Sequence, residues 1–178
     1  MKSVRYSLWL AVIALSTVAL AQSDGQKSFE KMKTLAGEWE GVVAVTPPME
    51  GMGGDKIHVS MRVTSRGNVL VHEMQAAGTP LDPGKYDHPV TMFYVDSDHL
   101  TLVHYCDAGN RPRMTAKPLI DDKTLDFDFV DVSGSSQYGH MQHSTFTVVD
   151  ANHHTEDWTF LMPGDKLMHA HMDLKRVN

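Results

Sequence analysis

The feature that most constrains this chain is a run of about ten short segments, from Glu38 to Arg176, in which apolar and polar residues alternate and the links are tight. Lys56–Thr64 is the clearest. Ile57, Val59, Met61 and Val63 fall on one side, and Lys56, His58, Ser60 and Arg62 on the other. Alternation with period two marks a strand with one buried face. Turn-forming residues separate the segments, as at Ser65-Arg66-Gly67-Asn68, Asp96-Ser97-Asp98, Asp107-Ala108-Gly109-Asn110 and Pro163-Gly164-Asp165. Links this short leave no room for a crossover, so consecutive strands pair antiparallel. A meander of that many strands keeps two unpaired edges unless it closes. The expected fold is all-β: an antiparallel up-and-down barrel of about ten strands, enclosing a space that side chains need not fill. One connection is long, Gly78–Pro89, and its Pro80, Pro83 and Pro89 bar it from a central strand. It reads as a lid or rim loop.

A short helix is expected to precede the strands and cap one end of the barrel. Phe29, Met32, Leu35 and Ala36 share one helical face, and Gly37 sits where a helix C-terminus favours positive φ. Residues 22–28 are polar and read as an unstructured lead-in, so the barrel domain is expected over residues 29–178. Residues 1–21 read as a signal peptide: Lys2 and Arg5 precede an apolar run, and Ala19-Leu20-Ala21 is a cleavage signal. This predicts a secreted, periplasmic protein with no membrane attachment after cleavage. Loss of Lys2 and Arg5 moves the formal net charge from -6 to -8. An acidic chain without basic runs is a poor partner for nucleic acid or anionic membrane. Cys106 is the only cysteine, so an intramolecular disulfide is excluded.

The stretch Leu35-Ala36-Gly37-Glu38-Trp39-Glu40-Gly41, following a helix, resembles the opening of lipocalin-like (calycin) barrels. In that family a Gly-x-Trp begins the first strand. The resemblance implies that Trp39 plugs the barrel floor and that a basic residue of the last strand, Arg176, lies across it. The run His104-Tyr105-Cys106-Asp107-x-Gly109-Asn110-Arg111-Pro112-Arg113-Met114 looks like a signature of secreted bacterial lipocalin-like proteins of unknown function. The plan is also similar, more distantly, to nitrobindins, small haem-binding barrels that share Gly-x-Trp-x-Gly. These likenesses imply a barrel and name no substrate.

Strand periodicity sorts the residues able to carry chemistry. His72 shares a face with Leu70 and Met74, and His104 shares one with Leu100, Leu102 and Cys106. His72, Met74, His104, Cys106 and Met114 form a candidate interior cluster that would orient a ligand inside an apolar cavity. Alternatively, the histidines are core residues bonded to their neighbours. Arg111 and Arg113 either recognise a carboxylate or phosphate or are rim charges answering Asp107 or Asp128. His169 and His171 could share a metal such as zinc, but a third ligand is not evident and a solvated outer face competes with that reading. A buried histidine would also serve a non-covalently held haem. No Gly-x-Ser-x-Gly, His-Glu-x-x-His or phosphate loop occurs, so nothing in the sequence names a catalytic residue or requires a cofactor. The reading that follows is a barrel binding a small, partly apolar molecule non-covalently. The alternatives are a histidine-dependent metal or haem protein with redox or hydrolytic activity, and a structural or interaction module with a filled barrel.

Overall fold

The structure, a computed structural model, describes residues 22–50, 53–119 and 121–177. The leader expected over residues 1–21 lies outside them. The strands are β1 (Gly37–Thr46), β2 (Lys56–Thr64), β3 (Val69–Ala76), β4 (Val90–Asp96), β5 (His99–Tyr105), β6 (Arg111–Ala116), β7 (Thr124–Ser133), β8 (His140–Asp150), β9 (His153–Met162) and β10 (Lys166–Val177). Each pairs antiparallel with its sequence neighbours, and β1 also pairs with β10, so the sheet is a closed barrel. The closing ladder runs from Glu38 opposite Val177 to Thr46 opposite His169. Closure leaves no strand edge for another chain to extend. The strands fall where alternation and turn chemistry put them, with ends shifted by a few residues. β5 stops at Tyr105, so Cys106 opens the following turn, and β6 stops at Ala116.

The helix starts earlier than its apolar residues indicate. α1 spans Asp24–Lys33, and the Ser23 hydroxyl caps it by accepting from the Gln26 N–H at 3.2 Å. Residues 24–28, expected to be an unstructured lead-in, are therefore its first half. The residues buried there are Gly25 and Ser28, which carry no hydrophobic signal. Gly25 is required by close approach: its N–H donates to Asp98 O at 3.1 Å, and a Cβ would collide with that carbonyl in the β4–β5 turn.

Gly37 is not the helix stop that its position indicated. The helix ends at Lys33 with Thr34 as its cap, and Gly37 is the first residue of β1 at φ +140°. A side chain there would strike the Arg176 guanidinium. That guanidinium lies 4.1 Å from the Trp39 ring centre and donates to Ala36 O (2.8 Å), Ala151 O (3.0 Å) and Thr34 O (3.3 Å). The fully buried Trp39 indole donates to Leu35 O at 2.8 Å. First strand, last strand and helix exit are thus tied together at one end, the floor. Above it Phe93, Phe127 and Phe146 meet edge to face, with Leu70, Leu100, Leu102 and Leu125 completing a dry core. Each such fully buried side chain contributes about 1.5–3 kcal/mol.

Candidate functional site

The upper half of the barrel is not filled. Beyond the aromatic core lies a chamber of about 410 Å³, open at the end opposite the helix. Its walls are mainly apolar: Val43, Val45, Ile57, Phe160 and Ala170, with six methionines, Met49, Met74, Met141, Met162, Met168 and Met172. His104 and Trp158 form its inner end, and Asp55, Gln75, Asp87, Cys106 and Asp107 stand at the rim. The volume is within the range of small-molecule sites. Methionine side chains are flexible and polarizable, so such walls adapt to more than one ligand shape.

A buried polar layer runs beside the aromatic core, from the Trp39 floor, where His154 meets the indole edge-on, up to the chamber. β9 supplies most of it, because His154, Glu156, Trp158 and Phe160 alternate onto its inner face. Glu156 is wholly buried. Its carboxylate accepts from His72 Nε2 (3.1 and 3.2 Å), His154 Nε2 (3.0 Å) and the Trp158 indole N–H (3.0 Å). Burial on its own would raise the Glu156 pKa. The neighbouring His72 and the hydrogen bonds from His154 and His72 outweigh burial and hold the carboxyl well below its usual range.

His104 belongs to the same layer but behaves differently. Across the sheet, Thr91 of β4 stands between His72 of β3 and His104 of β5. His104 Nδ1 shares a hydrogen with the Thr91 hydroxyl at 2.8 Å. Its Nε2 is buried and has no partner. Burial, reinforced by the charge of His72, pushes the His104 pKa down to about 3. The imidazole is therefore neutral at physiological pH, with one ring nitrogen buried and unpartnered beside the chamber's inner end.

The interior candidates divide between chamber and core. Met74, His104 and Cys106 line the chamber. His72 lies below it in the Glu156 network, and Met114 is fully buried in the core, accepting a long contact from the Ser144 hydroxyl at 3.9 Å. Arg111 and Arg113 do not reach the interior. Period-two alternation puts them opposite Pro112 and Met114, which face inward. Arg113 pairs on the outer face with Asp131, not with Asp107 or Asp128, and Arg111 is exposed. Trp39 and Arg176 meet at the floor. His169 and His171 are on the outer face, bonded to the Thr159 hydroxyl and to Asp157. Among the described residues no three His, Cys, Asp or Glu side chains converge as a metal site. Cys106 is half-buried; burial, and then the charges of Asp87 and Asp107, raise its thiol pKa above the backbone N–H's opposing effect.

Glu156 and His154 are absent from the sequence reading. The signal was present in β9, where Thr155, Asp157 and Thr159 form a wholly polar face and so leave the His-x-Glu-x-Trp face for the interior.

The fold has a solved counterpart. A protein of unknown function from the DUF3598 family of Nostoc punctiforme PCC 73102 superposes with a TM-score of 0.53 at 9% identity. The match covers 82% of this chain and 49% of that protein, so the chain spans about half its length. At that identity the likeness speaks for the fold alone. A candidate outer-membrane protein of Bacteroides fragilis NCTC 9343 covers 83% of this chain and 99% of its own at 8% identity, with a TM-score of 0.20, too divergent to bear on fold or location. No family model matches the sequence, and no curated protein does.

Proposed function

We propose that this barrel is an extracytoplasmic carrier or receptor for a small, largely apolar molecule. The ligand sits non-covalently in the upper chamber, with its inner end against His104 and Trp158. The observation that carries this reading is the chamber itself: about 410 Å³ of mainly apolar space, open at one end, with His104 among its lining residues. The neutral imidazole suits an uncharged hydroxyl, amide or carbonyl group on the ligand. The open chamber argues against a filled barrel of purely structural use.

The test is titration with N-phenyl-1-naphthylamine, a neutral apolar fluorophore, followed by displacement with unlabelled apolar compounds. A single saturable site is expected. Ala170→Trp, which fills the chamber above the polar layer, should abolish it while leaving the unfolding transition in place. Equal binding to the variant and the wild type would refute the reading.

A second reading rests on His104. A neutral, partnerless imidazole nitrogen in an apolar pocket suits an axial ligand to haem. His104 lines the chamber, but its Nε2 is buried, and the rim does not fit the propionates, which would face Asp55, Asp87 and Asp107. Titration with haemin distinguishes the readings: a Soret shift abolished by His104→Ala would favour haem.

A further inference from the structure

The charge around the chamber says what kind of ligand it admits. Three carboxylates stand at the rim: Asp55 from the β1–β2 link, Asp87 from the long β3–β4 loop and Asp107 from the β5–β6 turn. No lysine or arginine is among the residues lining the chamber. Among the described residues, no ion pair includes Asp55, Asp87 or Asp107. Lys85 of the rim loop lies over the Tyr86 ring and lines an adjoining outer groove that shares Asp87, Cys106 and Asp107 with the chamber, without pairing with either carboxylate. Deeper in, His104 at the inner end is a neutral imidazole.

Asp87 and Asp107 are also close to each other. The Asp107 N–H donates to Asp87 Oδ1 at 3.2 Å, so two acidic residues share one short stretch of rim. Partial burial, followed by the charge of Asp107, raises the Asp87 pKa, a tension that a cation placed between them would relieve. The walls do not oppose a cation, because aromatic faces and polarizable thioethers tolerate positive charge next to apolar surface. They would oppose an anion, because among the described residues no lysine or arginine lines the chamber.

We infer that the chamber selects cationic amphiphiles: molecules with an apolar body that fits among the methionines and an amine or quaternary ammonium that stops at the Asp55–Asp87–Asp107 rim. This excludes the fatty carboxylates that a barrel of this shape would otherwise suit. The inference rests on the chamber being a ligand site, and it specifies the charge of the ligand's outer end.

The experiment compares decylamine, decanol and decanoate as displacers of N-phenyl-1-naphthylamine at neutral pH. Their chains match, so burial cancels and only the head differs. Decylammonium should bind about tenfold more tightly than decanol, and decanoate about tenfold more weakly, with both gaps narrowing at high salt. The double variant Asp87→Asn/Asp107→Asn should lose most of the preference for the amine and leave decanol unchanged, which also reports that the chamber is intact. Decanoate binding as well as decylamine, or an amine preference that survives the double variant, would overturn the inference while leaving a ligand site in place. Failure of decanol as well as the amine to displace the probe would overturn the underlying chamber reading, and this inference with it.

Discussion

His104 offers a sharp test of the polar layer, through the pH dependence of stability. An unfolded chain protonates this histidine around pH 6.5, whereas the folded protein resists until about pH 3. Between those values the unfolded state binds a proton that the folded state refuses, so stability falls as pH falls, and below about pH 3 the loss levels off. The effect is nearly absent at pH 7. At pH 5 it amounts to about 2 kcal/mol, because the unfolded side chain is then roughly 97% protonated and the folded one is not. Replacing His104 with asparagine removes the titration and keeps a polar atom within reach of the Thr91 hydroxyl. The substitution leaves a small void, so the variant is expected to be less stable at pH 7 by about 1–2 kcal/mol. The comparison therefore rests on slopes. Urea unfolding at pH 7, 6 and 5 should show the wild type losing about 2 kcal/mol more than His104→Asn across that interval. All other titrating groups are common to both proteins and cancel in the difference. Parallel losses, within about 0.5 kcal/mol, would mean that His104 is neither desolvated nor neutral. The account of the chamber's inner end would then fail.

Glu156→Ala should cost about 3–5 kcal/mol in urea unfolding, because it strands three buried N–H donors, and Glu156→Gln should cost less. The Glu156 pKa is depressed on folding, so the wild type's advantage over Glu156→Gln should hold above about pH 4.5 and shrink as pH falls below it. Trp39→Phe removes the hydrogen bond to Leu35 O and weakens the stack with Arg176, and circular dichroism melting should report a loss of about 1–2 kcal/mol. Cys106 should react slowly with iodoacetamide at pH 7, because its thiol pKa is raised. Decanol in the chamber should slow it further.

The barrel was legible because strand alternation and turn chemistry are local signals, written into neighbouring residues. β2 begins and ends where those signals place it, at Lys56 and Thr64. The start of α1 was not legible, because it buries Gly25 and Ser28 by close packing on a turn more than seventy residues away in sequence. Gly37 misled for a related reason: the side chain that forbids a Cβ there comes from the far end of the chain. Arg111 and Arg113 stood as ligand-binding candidates beside the Met114 cluster, although alternation alone sends the arginines outward. The division of the interior residues between core and chamber could not be read from faces, because His72 and His104 both point inward. Their difference is one of partners: Glu156 reaches across the barrel to His72 and not to His104.

The clasp of Trp39 and Arg176 lies at the opposite end from the methionine walls. Folding strength and ligand choice are therefore vested in different sets of residues. Substitutions around the entrance can accumulate at little thermodynamic risk, since the cylinder is locked elsewhere. A lineage built on this plan could change the lining of its chamber many times while its scaffold stayed the same.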